Sequence, residues 1–150
     1  MKMKHNVTIQ EAQQSDAEAL AWLSGELGYP ATTSEIEHRL KALSADPRHT
    51  ILVAKDGALL GWIDVAVIHT LESGSFAEIR GLVVTEARRG TGIGTKLVEA
   101  AEKWASAKKC DRIRVRTNIT RVEAQAFYQQ RGYVSKKTQN VFDKSIPSNK

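Results

Sequence analysis

Phe76-Ala77-Glu78-Ile79-Arg80-Gly81-Leu82-Val83-Val84, followed by Thr85-Glu86-Ala87-Arg88-Arg89-Gly90-Thr91-Gly92-Ile93-Gly94-Thr95, reads as a strand, a glycine loop and the start of a helix. The strand closes on the apolar run Leu82-Val83-Val84. The helix is expected from about Ile93 to Ala107, with Leu97, Val98, Ala101 and Trp104 on one face. Glycines between the two elements let the backbone approach a ligand and turn its N–H groups outward. A helix that opens at once adds unpaired donors and a partial positive charge, so a phosphate or pyrophosphate is the natural guest. Arg88 and Arg89 bring full positive charges to the same rim.

Spacing separates the ligand classes that use such loops. A nucleoside-triphosphate loop needs Gly-Lys followed by Ser or Thr, whereas Gly94 here precedes Thr95-Lys96. The dinucleotide fingerprint needs its third glycine one residue later than Gly94. What remains is an arginine, a glycine and a second glycine at alternate positions: Arg89-Gly90-Thr91-Gly92-Ile93-Gly94.

Outward from this stretch the chain reads as one mixed α/β domain spanning residues 1–150. Val7-Thr8-Ile9-Gln10 alternates as a first strand. Capping boxes at Ser15-Asp16-Ala17-Glu18 and Ser34-Glu35-Ile36-Glu37 open two helices, separated by Gly28-Tyr29-Pro30. Residues 51–54 and 59–68 flank Asp56-Gly57 as a hairpin. Arg112-Ile113-Arg114-Val115-Arg116-Thr117 alternates as a strand with one charged face. Thr120-Arg121-Val122-Glu123 caps a helix ending near Gly132, and short strands are expected around Tyr133-Val134 and Val141-Phe142. The order is β-α-α-β-β-β-α-β-α-β-β.

The loop now resembles the coenzyme-A loop of the GNAT family of N-acetyltransferases, written (Gln/Arg)-x-x-Gly-x-(Gly/Ala). The resemblance extends in element order from about Thr8 to Phe142 and is most specific from Phe76 to Tyr133. It implies the acyl-CoA N-acyltransferase fold: a single mixed, mostly antiparallel sheet flanked by helices. It also implies acetyl-CoA as co-substrate. On this likeness Leu82 and Val84, with Val83 between them, offer main-chain bonds to the pantetheine arm and thioester. Arg89, Gly90, Thr91, Gly92, Ile93, Gly94 and Thr95 wrap the pyrophosphate.

Acetyl transfer to an amine needs a neutral amine, donors for the developing oxyanion and a proton for the departing thiolate. Ala124-Gln125-Ala126-Phe127-Tyr128-Gln129-Gln130-Arg131-Gly132-Tyr133 resembles the family's second signature, in which the first tyrosine is the general acid. Tyr128 holds that position, and Tyr133 falls where the family packs an aromatic. Glu78, four residues before Leu82 and on its side of a regular strand, is the candidate base. Its competing reading is a structural pair with Arg80 or Arg114. Family members carry Asn three residues before the signature's alanine. Arg121 stands there in this chain while Asn118 lies at the strand end, leaving Asn118 and Arg121 as candidates for the coenzyme contact. Tyr29, between the first two helices, falls where the family covers its acceptor.

The remaining residues exclude more than they add. The net charge of +5 comes from scattered basic residues without interleaved aromatics, so no nucleic-acid partner is expected. No apolar run reaches the ~20 residues of a membrane span, the basic start leads into polar residues, and Cys110 stands alone. A cytoplasmic location is therefore expected, with no membrane partner. Four histidines without ligand spacing give no metal site, and no nucleophile elbow occurs. Trp22, Trp62 and Trp104 are expected in the core, and Cys110 is read as structural. The leading expectation is an N-acetyltransferase acting on a primary amine by direct attack in a ternary complex. A non-catalytic acyl-CoA-binding or sensing module is the alternative, and the family's frequent dimers imply a possible homodimer.

Overall fold

The computed structural model describes residues 6–26, 28–117 and 120–148. Two compact units form, Met1–Arg116 and Thr117–Lys150. The first holds β1 (Thr8–Glu11), α1 (Ala17–Glu26), α2 (Thr33–Ser44), β2 (His49–Asp56), β3 (Ala58–Thr70), β4 (Gly74–Val84), α3 (Ile93–Ala107) and β5 (Ile113–Val115). Its sheet has the order β1-β2-β3-β4-β5, antiparallel throughout except for the parallel β4–β5 pair. This is the mixed, mostly antiparallel sheet expected. Among the described residues no helix is long and apolar enough to cross a membrane.

Hairpin chemistry sets the first register. Gly57 adopts φ +74°, which lets Asp56 and Ala58 face each other directly across β2 and β3. Alternation then sorts side chains onto two faces. Val53 clusters with Ala17 and Leu20 of α1 and Leu40 of α2, and partly buried Ile51 and Trp62 pack against them. The opposite face receives α3, which buries Ile93, Leu97, Val98, Ala101 and Ala105. A Cβ on Gly61 would come within 3.2 Å of Leu97 and 2.7 Å of the Val83 carbonyl, so only glycine permits this approach. Caps begin two residues earlier than their sequence signals. Asp16 accepts from the Gln13 N–H at 2.8 Å, and Thr32 and Glu35 exchange reciprocal bonds at 3.1 and 3.0 Å.

Two expectations fail here for physical reasons. Trp22 is 64% exposed, because the buried side of α1 is made by Ala17, Leu20, Ala21 and Leu23. Trp104 is half-buried under the Lys108 ammonium, whereas Trp62 packs into the core as expected.

The second unit contains α4 (Val122–Gln130), ended by Gly132 at φ +89°. The two closing strands expected at Tyr133-Val134 and Val141-Phe142 are not formed; residues 133–148 carry no regular structure. Val134, Val141, Phe142 and Ile146 all remain exposed, so ordering the polar run between them gains no apolar burial in return.

Candidate active site

The β4–β5 pair is the key to the site. These strands pair only where Ala77, Glu78 and Ile79 meet Ile113, Arg114 and Val115. Strand β4 continues to Val84, so Arg80 through Val84 run on without β5 beside them. On its other edge β4 stays bonded to β3 as far as Val84. Among the described residues the strand before the glycine loop therefore has one edge without a strand partner. Alternation turns the peptide groups of Leu82 and Val84 toward that edge, while those of Val83 face β3.

The loop that follows is shaped by its glycines. Gly90 and Gly92 take φ +78° and +88°, and a Cβ on either would meet nothing within 4 Å. Gly92 is the N-cap of α3; it brings no side-chain acceptor to the helix start, and no acidic residue lies in the first turn. Gly94 lies inside α3, and the buried Ile93 side chain anchors that first turn in the core. Ile93 can therefore offer a ligand only its backbone. Arg89 is exposed and donates from Nε to the Val84 carbonyl at 3.3 Å, while Arg88 reaches Asp56 at 3.9 Å. Thr91 Oγ1 closes the turn on the Arg88 carbonyl at 2.5 Å. Open backbone, a positive helix end and two guanidiniums suit a phosphate-bearing ligand such as the coenzyme's pyrophosphate.

Glu78 is 4% exposed and lies at the middle of the three paired steps between β4 and β5, opposite Arg114. Its Oε1 accepts from Arg80 Nη1, and its Oε2 lies 3.4 Å from Arg116 Nε. Pairing with Arg80 agrees with the competing structural reading, but the second partner is Arg116 rather than Arg114. One expectation is corrected. Glu78 and Leu82 do not share a face, because a bulge intervenes: Gly81 pairs with Asp64 and Ile79 with Val65, leaving Arg80 as the extra residue. Glu78 opposes Ala66 and Gly81 opposes Asp64, so these two lie on the α1/α2 face while Leu82, opposite Ile63, lies on the other. A Cβ on Gly81 would come within 2.9 Å of the Trp62 ring, which accounts for the glycine at the bulge.

The same face carries charges that the sequence reading did not single out. His49 Nε2 bonds Asp64 Oδ1 between β2 and β3. Burial pushes the Asp64 carboxyl above its usual range, although His49 and Arg80 pull it back. Arg114 lies 4.4 Å and Arg112 4.9 Å over the ring centroid of the buried Phe76. The alternating arginines and a Glu78 brace were visible in the sequence; the Phe76 ring under Arg112 and Arg114 and the choice of Arg116 as partner were not. Tyr29 stands 73% exposed after α1.

In the second unit, Tyr128 is 8% exposed and makes edge contacts with Phe127 and Tyr133, at 5.1 and 5.4 Å between centroids. Tyr133 thus has the packing role expected of it. Burial raises the Tyr128 phenol to about 12, against the opposing pull of Arg121 and Arg131. Asn118 lies outside the described residues.

Comparison with known proteins identifies the family and the fold. The model of the acetyltransferase (GNAT) family matches residues 15–133. The chain is 28% identical over 142 residues to aminoglycoside N(6′)-acetyltransferase type 1 of Klebsiella aerogenes, covering 93% of this chain and 81% of that protein. It is 32% identical over 113 residues to aminoalkylphosphonate N-acetyltransferase of Salmonella typhimurium (strain LT2), covering 74% and 71%. The solved structure of aminoglycoside N-acetyltransferase AAC(6′)-Iy in complex with CoA superposes with a TM-score of 0.87, covering 97% of this chain and 99% of that one. At 16% identity that last likeness concerns the fold alone. A family match across most of the chain, on the α/β fold of that family, makes this protein an acetyltransferase of the GNAT family.

Proposed function

We propose that residues 1–150 form one cytoplasmic N-acetyltransferase domain that moves the acetyl group of acetyl-CoA to a primary amine of a small molecule or protein. Direct attack in a ternary complex is the route. The observation that carries this reading is the open edge of β4 from Arg80 to Val84, running straight into the Gly90–Gly92 loop. The family match crosses the boundary between the two units, which supports a single functional domain. The lone thiol of Cys110 is in keeping with a reducing compartment.

Acetyl-CoA supplies the activated acetyl thioester. Leu82 and Val84, with Val83 between them, offer main-chain groups to its arm, and Arg89 through Thr95 hold its pyrophosphate. Asn118 contributes a further contact. The Leu82 N–H serves as oxyanion donor. Tyr128, whose phenol keeps its proton far above neutrality, holds that proton at Oη for the leaving thiolate. Glu78 receives the amine's proton through water, and Tyr29 contacts the acceptor. The exposed apolar side chains Val134, Val141, Phe142 and Ile146 support a homodimer.

Thiol release against a panel of amines tests the activity, with melting in saturating acetyl-CoA as the binding arm. A rise in melting temperature and turnover of at least one amine are expected. No melting shift with acetyl-CoA would overturn the reading.

A further inference from the structure

Four guanidiniums gather on the α1/α2 face of β4 and β5, and they are held rather than loose. Register in a parallel pair puts Glu78 and Arg114 side by side on one face, and alternation brings Phe76, Arg112 and Arg116 to the same face. The Phe76 ring, 1% exposed, supports Arg114 at 4.4 Å and Arg112 at 4.9 Å. Glu78 holds Arg80 and Arg116. A guanidinium stacked on a ring keeps its N–H edge available for bidentate contact with a planar or tetrahedral anion.

The charge balance on this face is positive. The carboxylates paired on this face are Glu78 and Asp64, and Asp64 is already bonded to His49. Glu26 at the end of α1 adds a further carboxylate, one oxygen of which is buried without a partner among the described residues. Arg112 spends one N–H on the Ser73 carbonyl at 3.1 Å. Among the described residues no carboxylate pairs with Arg112 or Arg114. Arg114 and Arg116, two residues apart on one strand face, lie about 7 Å apart along it. Arg80 and Arg116 flank the point where β4 and β5 separate, and Arg114 and Arg112 lie back along the pair over Phe76.

From this we infer that the Arg80–Arg112–Arg114–Arg116 cluster binds an anionic group on the amine acceptor, so the acceptor class is a small amine that also carries a phosphonate, phosphate or carboxylate. This rests on the acetyltransferase reading above and narrows it. A polycationic amino sugar brings several ammonium groups to a face already positive, and like charges disfavour it. A zwitterionic amine places its anion on the arginines while its amine faces the open stretch of β4.

The test compares aminoethylphosphonate, butylamine, which carries no anionic group, and the polycationic kanamycin as acceptors for the wild type, Arg114→Gln and Arg112→Gln. The wild type is expected to show kcat/KM for aminoethylphosphonate at least tenfold above both other amines. A charged hydrogen bond of ordinary strength predicts that Arg114→Gln raises the KM for that amine roughly 10-fold or more. The same change leaves butylamine turnover and the KM for acetyl-CoA as they were. Equal rates for the three amines, or a preference for kanamycin, would overturn the inference. So would a raised acetyl-CoA KM in Arg114→Gln without a change for the amine, because the anion would then belong to the coenzyme. Calorimetric titration of aminoethylphosphonate needs no turnover and separates this inference from the activity itself. Binding weakened by Arg114→Gln supports the anion site even if no amine is acetylated, and absence of binding to the wild type refutes it.

Discussion

Arg116 Nε lies 3.4 Å from Glu78 Oε2, joining the residue just past β5 to β4 one step before the last β4–β5 pair, Ile79 with Val115. The carboxylate thus has two tasks in the proposed enzyme: bracing Arg80 and Arg116, and taking the amine's proton. Glu78→Gln keeps the shape and removes the charge. As a lost base it should lower kcat/KM about 100-fold at neutral pH. As a lost brace it should cost about 1–3 kcal/mol of stability, because the side chain is buried and its partners lose an ion pair. The two are separable by measuring melting and rate on the same variant. A lost base lowers the rate of protein that is still folded, and a rate unchanged in folded Glu78→Gln would exclude Glu78 as base.

In the proposed mechanism Tyr128 provides the opposite proton. With its phenol raised to about 12, from an ordinary value near 10, the proposed general acid keeps its proton at neutral pH. Tyr128→Phe should cut kcat about 100-fold while leaving acetyl-CoA binding within twofold, read by steady-state kinetics and calorimetry. The shift also has a stability consequence. Between pH 10 and 12 the unfolded chain releases this proton and the folded one keeps it, so the unfolded state binds fewer protons. Stability is therefore lost as pH rises through that window, and Tyr128→Phe should lose less of it than the wild type.

What the sequence made legible was what local chemistry decides. Glycines and arginines at one helix start located the loop between β4 and α3, and apolar spacing fixed α3 as Ile93–Ala107. The Asp56-Gly57 turn set the hairpin, and alternation disclosed the arginine face of β5. What remained hidden depends on partners distant in the chain. The bulge at Arg80 broke the period-two inference that paired Glu78 with Leu82, and nothing local marks a bulge except the glycine beside it. The Glu78–Arg116 pair and the Phe76 support of Arg112 and Arg114 require knowing that β5 returns parallel to β4. The closing strands failed because two-residue apolar runs carry too little pattern to specify a partner.

Gly92 joins a conformational constraint to its proposed place in the coenzyme loop. Its φ of +88° strains any side chain, although space for a Cβ exists. Gly92→Ala should cost about 1 kcal/mol and tilt the first turn of α3, raising the KM for acetyl-CoA about tenfold with kcat little changed. Gly81→Ala tests a different constraint. Its Cβ would meet the Trp62 ring at 2.9 Å, so it should destabilise by about 1–3 kcal/mol through overpacking. Thermal melting and acetyl-CoA kinetics on the two variants separate loop geometry from core packing.

The proposed homodimer rests on side chains that one copy leaves in water. Val134, Val141, Phe142 and Ile146 are 80%, 86%, 91% and 86% exposed within a single segment. Isolated exposed apolar residues are ordinary, but four within fifteen positions form an unusual concentration of uncovered area. Each side chain buried against a second copy would contribute about 1.5–3 kcal/mol before the cost of association is subtracted. Sedimentation of the wild type should therefore show twice the chain mass of 16.6 kDa at micromolar concentration. Phe142→Ser with Val141→Ser removes the two largest neighbouring contributions and should shift the population to single copies. Because neither residue lies in a helix or strand, the melting of an isolated copy should change little. A wild type that sediments as single copies at every concentration would refute the dimer.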